Sequence, residues 1–127
     1  MIHLYKAWHQ ERKQMSWEFG LNPTKITFDD QNDELACEDI DFDEHYWEMT
    51  ILQSTGVPDK NGKQAFNGDL IMSNTYGYPM EIRWDEENAC FYCYDHKGSE
   101  DDHLSMQEVR VSEIIGNINS NPEMLTR

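Results

Sequence analysis

The sequence predicts a mainly β fold: antiparallel strands forming a small barrel, with an N-terminal hairpin extension and a short C-terminal helix. Three observations predict it. Two turn-forming pairs, Asn61-Gly62 and Asn67-Gly68, stand beside apolar runs, and both residue types tolerate the positive φ that tight hairpin turns need. Three candidate strands then follow at meander spacing: Asp69–Asn74, Met80–Trp84 and Ala89–Tyr94. Last, Asn121-Pro122-Glu123 has the chemistry of a helix start, with a capping Asn, Pro at the first helical position and a carboxylate in the first turn.

From the start of the chain, residues 2–19 read as a hairpin. Ile2, Leu4, Lys6 and Trp8 alternate with His3, Tyr5 and Ala7, and a polar stretch leads to Met15-Ser16-Trp17-Glu18-Phe19. A helix across Glu11–Met15 competes, because that stretch carries no strand-favouring residue. Asn22-Pro23 punctuates the chain, and Lys25–Phe28 is a short strand. Tyr46–Gln53 is a denser apolar strand that enters the turn at Asp59–Lys63, where Asp59 can hydrogen-bond its own downstream backbone. Tyr76–Pro79 and Asp85–Asn88 turn the meander, and Asp95–Asp102 is a polar loop. Leu104–Val109 fits one helical turn, Arg110–Ile118 closes the sheet with Gly116 breaking its run, and Pro122–Thr126 is the terminal helix. The four tryptophans, Trp8, Trp17, Trp47 and Trp84, are read as core.

Charge excludes several classes of function. The chain has 127 residues, 25 acidic and 10 basic, for a formal net charge of −15. Such a surface repels phosphate backbones and anionic membranes and favours basic partners, so direct nucleic-acid binding is not expected. The acid is concentrated: residues 29–44 hold nine carboxylates, and no Lys or Arg occurs between 26 and 59. Within it Asp39-Ile40-Asp41-Phe42-Asp43 alternates strictly, so a strand there turns Ile40 and Phe42 inward and three aspartates outward. Such an edge can serve only to keep strands from pairing with other chains. Asp39, Asp41, Asp43 and Glu44 are also the candidate contacts to a basic partner. A calcium loop starting at Asp39 fails twice, with Glu44 where Gly is needed and Thr50 where a bidentate Glu is needed.

Three cysteines, Cys37, Cys90 and Cys93, suit a reducing compartment better than a disulfide framework. The opening residues reach a charge at Lys6 before any secretion-signal core is built, and no stretch is apolar enough for a membrane span, so the expected location is the cytosol. Cys90 and Cys93 have the spacing of a zinc or redox pair, with His96 and His103 downstream as weak metal candidates. On a strand, residues three apart point to opposite faces, which favours two packed cysteines over a metal pair. Asp59, Lys60, Asp69 and Arg83 could be assembled into an acid, a base and an anion clamp, but turn chemistry and strand initiation account for the first three. No phosphate-cradling glycine loop, nucleophile elbow or metal-binding helix motif is present in the sequence, and neither an enzyme nor a cofactor is expected.

The chain resembles the YopX family of phage and prophage proteins. The residues that carry the resemblance are Tyr5-Lys6-Ala7-Trp8 with Met15, Ser54 to Lys63 with Phe66 and Gly68-Asp69-Leu70-Ile71, and Ile114 to Ile118 with Asn121 to Leu125. Val57-Pro58, Ala65 and Asn67 depart mildly from the family pattern. The resemblance implies an SH3-like barrel, a phage or prophage origin in a bacterial host, and a family without an assigned activity. The expected organisation is one YopX-like domain over 1–127, with a hairpin and acidic segment over 1–50 and the barrel portion over 51–127. The expected role is a non-catalytic module binding a basic host or phage protein. A nucleic-acid mimic that occupies a DNA-binding protein is the first alternative, a metal-binding enzyme centred on Cys90, Cys93 and the nearby histidines is the lesser one, and homo-oligomerisation stays open.

Overall fold

The computed structural model describes residues 3–30, 33–98 and 103–125, with the side chains of 29–38 left aside. The expectations placed on Ile2, Thr126 and the thiol of Cys37, and on the far end of the 95–102 loop, lie outside the described residues. The chain divides into two compact units, Met1–Ser54 and Thr55–Arg127. Both are mainly β and antiparallel.

In the first unit β1 (Tyr5–His9) and β2 (Gln14–Met15) form the expected hairpin, with Trp8 opposite Met15 and His9 opposite Gln14. The competing helix is absent: Lys13 takes a positive φ of 55° in the turn. β1 is flanked on its other edge by the first half of β5 (Met49–Pro58), with Ala7 opposite Ile51. This central position explains why strict alternation fails, since Ala7, Trp8 and His9 are all buried. β3 (Lys25–Asp30) pairs with β4 (Asp33–Asp41), Ile26 facing Ile40 and Lys25 facing Asp41. Ala7, Ile26, Phe28, Ile40 and Met49 make the core, and Phe19, Phe42 and Ile51 pack against it.

The strand expected to run to Asp43 stops at Asp41. Phe42–His45 is instead a single helical turn, α1, and Tyr46–Glu48 a 3-10 turn, so the strand expected from Tyr46 begins only at Met49. The Phe42 amide donates to the Thr24 carbonyl at 3.2 Å, and leaving the strand there keeps Asp43 off the face that already carries Asp39 and Asp41. Ile40 is buried as expected, but Phe42 leaves the sheet and is only half-buried.

In the second unit the end of β5 lies beside β6 (Gln64–Phe66), and the Thr55 hydroxyl donates to the Ala65 carbonyl at 2.9 Å. β7 (Asp69–Met72), β8 (Pro79–Asp85) and β9 (Cys90–Tyr94) form the expected meander, and β10 (Glu113–Asn117) joins it beside β7. This four-stranded order is compatible with a small SH3-like barrel. The one-turn helix α2 spans Gln107–Arg110, three residues later than expected, and the closing strand begins correspondingly late. Gly116 sits at a register shift in β10, where an added Cβ would lie 2.6 Å from Asn121 Oδ1. The terminal turn, Pro122–Leu125, is 3-10, and Asn121 Oδ1 accepts from the Asn117 amide at 3.3 Å. The core is Ala65, Ile71, Met80, Ile82, Cys93, Val109 and Ile114.

Buried carboxylates tie the turns of this unit together. Asp59 Oδ1 accepts from the amides of Asn61 and Lys63, both at 2.9 Å, closing the turn. Its other oxygen accepts from the Ile114 amide at 3.0 Å, 55 residues away in β10. Asp69 accepts from the Phe66 amide and from Asn117 Nδ2, at 2.8 and 2.9 Å. Glu108 accepts from the Ser73 hydroxyl at 2.7 Å and the Thr75 amide at 3.0 Å. Asp95 accepts from the Tyr78 hydroxyl at 2.6 Å and from the amides of Lys97 and Gly98.

Burial pushes the Asp59 carboxyl upward, but the Ile114, Lys63 and Asn61 amides together outweigh it and hold the group below its ordinary value. The same balance, with hydroxyl donors added, lowers Asp95 and Glu108. A carboxyl depressed in the folded state contributes stability above its unfolded pKa and loses it as pH falls through the folded one. Replacing Asp59 by Asn is expected to cost about 2–4 kcal/mol near neutral pH, since charge-assisted bonds weaken and the Ile114 amide loses its acceptor. In urea melts the gap between wild type and Asp59→Asn should shrink between about pH 6 and about pH 3. A gap that stays constant across that range contradicts an ionised Asp59.

Candidate functional site

The end of the acidic segment contributes Phe42 to an aromatic pocket in the first unit. Tyr5, Phe19, Gly20, Leu21, Asn22, Pro23, Phe42, Tyr46 and Ile51 line a cavity of about 330 Å³. β1 supplies Tyr5 and β5 supplies Ile51. Tyr5 and Phe19 exchange both backbone hydrogen bonds, at 2.8 and 2.9 Å, and their rings stack at 6.0 Å. The Phe42 amide donates to the Thr24 carbonyl at 3.2 Å, fixing α1 against the start of β3. Phe42 and Tyr46 lie four residues apart on this helical turn, so their rings meet edge to face at 5.4 Å. Phe19 and Phe42 stand 6.4 Å apart and join the two ring pairs.

The four acidic candidates border this pocket along the chain. Asp39 and Asp41 are exposed at the end of β4, where the Thr27 hydroxyl donates to Asp39. Asp41 immediately precedes the pocket residue Phe42, and Asp43 and Glu44 follow it, all exposed. Sequence reasoning placed Asp39 and Asp41 on a strand correctly, put Asp43 on the same strand where the chain has already turned, and assigned Glu44 to no element. It also missed the pocket, although the i, i+4 pair Phe42 and Tyr46 was visible in the chain. The tryptophan expectation is corrected as well: Trp8 is buried, but Trp17, Trp47 and Trp84 are 62%, 78% and 46% exposed. Trp47 follows Tyr46 in the 3-10 turn.

A second polar cluster lies in the same unit. Glu48 accepts from His45 Nδ1 at 2.9 Å and pairs with His9 Nε2 at 3.3 Å. His9 Nδ1 accepts from the Arg12 amide at 3.2 Å, which places the ring proton on Nε2, directed at Glu48. With its lone pair spent on an amide, His9 cannot also present Nε2 to a cation as a neutral imidazole. The cluster braces the 3-10 turn that carries Tyr46.

In the second unit the proposed metal residues are not brought together. Cys90 is exposed at the start of β9, whereas Cys93 is buried in the core on the opposite face. Burial and the nearby Glu108 push the Cys93 thiol up to about 12, and its Sγ lies 3.6 Å from the Ser105 carbonyl. His96 Nε2 is 2.8 Å from Glu81 Oε1, and His103 Nδ1 accepts from the Asp95 amide at 3.0 Å. Of the imagined acid–base set, Asp59 and Asp69 are engaged in backbone bonds and Lys60 is exposed in the turn. Arg83 pairs with Glu81 at 3.1 Å and stacks 3.6 Å over the Tyr94 ring. Tyr92, Tyr94 and His103 line a separate cleft of about 570 Å³. β9 supplies most of its wall, Cys90, Phe91, Tyr92 and Tyr94, while His103, Leu104 and Ser105 come from beyond the 95–102 loop.

The family model described as YopX protein matches residues 4–126. The chain belongs to the YopX family. No curated protein matches it. Among solved structures it is similar to protein EF1440 from Enterococcus faecalis, at 22% identity and a TM-score of 0.60, over 98% of this chain and 99% of that one. At that identity the likeness supports the YopX fold and nothing finer. No helix among the described residues of this YopX chain is long and apolar enough to cross a membrane.

The burial difference between the two β9 thiols is directly measurable. In a Cys37→Ser background, iodoacetamide at about pH 8 is expected to modify Cys90 within minutes and to leave Cys93 unmodified until denaturant is added. Equal labelling of both in the native protein contradicts the described β9 register.

Proposed function

We propose that this YopX protein is a non-catalytic interaction module of phage type, acting in the bacterial cytosol, which binds a basic segment of a host or phage protein through its acidic face. One observation carries the reading: Asp41, Asp43 and Glu44, all exposed, flank a pocket-lining aromatic side chain within a stretch, 26–59, that has no Lys or Arg. Carboxylates that only solubilise need no apolar cavity beside them. A binding surface uses such a pairing, with apolar area for affinity and charge for orientation and encounter rate.

The experiment compares wild type with the fourfold variant Asp39→Asn, Asp41→Asn, Asp43→Asn, Glu44→Gln, each as bait in nuclease-treated host lysate. A specific basic partner is expected to be held at about 0.1 M salt and lost at about 1 M. Its affinity for the variant, measured with the purified partner, should fall by at least about tenfold, as the loss of four rim charges implies. A partner that binds wild type and variant equally overturns the role of the acidic face. A partner displaced by duplex DNA makes the surface a nucleic-acid mimic.

A further inference from the structure

The pocket beside the acidic segment has the chemistry of a receptor for one kind of side chain. Four rings, Tyr5, Phe19, Phe42 and Tyr46, wall a cavity of about 330 Å³, near the lower end of the size range of ligand pockets. Aromatic walls alone would accept any apolar group. Here the segment that delivers Phe42 and Tyr46 also delivers Asp41, Asp43 and Glu44, all exposed. An apolar occupant gains nothing from those carboxylates, and an anionic one is repelled. A cation with an aliphatic stem uses both parts, its stem against the rings and its charge toward the carboxylates.

Between the two natural cations of proteins, the planar guanidinium stacks on ring faces, is weakly hydrated, and meets a carboxylate with a two-pronged fork; an ammonium is a strongly hydrated point charge. The protein already uses the first geometry where Arg83 lies 3.6 Å over Tyr94 in the second unit. Lys25, opposite Asp41 in the β3–β4 register, is itself exposed and does not line the pocket.

We infer that the Tyr5–Phe19–Phe42–Tyr46 pocket is an arginine-anchor site, which takes one arginine side chain of the basic partner. The inference rests on the proposed interaction role and narrows it to a single recognised residue.

The test titrates N-acetyl-arginine-N-methylamide into protein with isotope-labelled aromatic rings, with the citrulline and lysine analogues as controls. Arginine is expected to shift the ring signals of Tyr5, Phe19, Phe42 and Tyr46. Citrulline, equal in shape but uncharged, should bind at least about fivefold more weakly, in keeping with a cation–π contribution of this size. Tyr46→Ser, at a side chain 57% exposed, should weaken arginine binding by about threefold or more, with an unchanged urea midpoint showing that the fold is kept. Equal shifts with citrulline, or with lysine, overturn the arginine assignment. Shifts confined to the amides of 39–44, with the rings unmoved, overturn it too while leaving the acidic interaction surface standing. If no signal moves, the anchor site falls, and the wider reading falls with it only if the fourfold acidic variant also retains the partner.

Discussion

The second unit hinges on the carboxylate of Asp59. One oxygen closes the turn by accepting from Asn61 and Lys63, while the other reaches Ile114 in β10. A turn and the closing strand of the sheet therefore share one side chain. The turn chemistry at Asn61-Gly62 makes the local half of this arrangement nearly automatic, with Gly62 at a φ of 83°. The long-range half is what gives it structural weight, because a buried amide left without its acceptor costs more than the bond itself contributes. Asp69, Asp95 and Glu108 repeat the device around the same core, each meeting at least one backbone amide.

This divides the acid of the chain into two populations. The inner one is structural: Asp59, Asp69, Asp95 and Glu108 are buried and saturated with donors. The outer one, including Asp39, Asp41, Asp43 and Glu44, is exposed and gathered in one stretch without nearby Lys or Arg in sequence. Self-repulsion among such groups works against the compact state. A place beside an aromatic pocket is what the proposed interaction would use, which is why the functional reading attaches to the first unit.

Much of the fold could be read from residues. The β7–β9 meander follows from short apolar runs separated by Asn, Gly and Asp, and the face separation of Cys90 and Cys93 follows from strand geometry alone. What could not be read depended on competition between local and distant effects. Asp39-Ile40-Asp41-Phe42-Asp43 alternates as a strand should, yet the chain leaves the sheet at Phe42, whose amide bonds to Thr24 instead. Tyr46-Trp47 looks like core and is largely exposed in a 3-10 turn braced by Glu48 and two histidines. The pocket needed residues from positions 5, 19, 42, 46 and 51, and no linear pattern shows that β1 and β5 would place them together.

Binding by the outer carboxylates, with the inner ones untouched, is the central claim, and carboxyl-carbon NMR reads both populations in one spectrum. A peptide of alternating arginine and glycine, added at about 0.1 M salt, is predicted to move the side-chain signals of Asp39, Asp41, Asp43 and Glu44 while Asp59, Asp95 and Glu108 stay in place. Shifts spread evenly over every exposed carboxylate, with Glu86, Glu87 and Glu123 moving as far as Asp41, would contradict a localised site and reduce the acidic segment to diffuse charge.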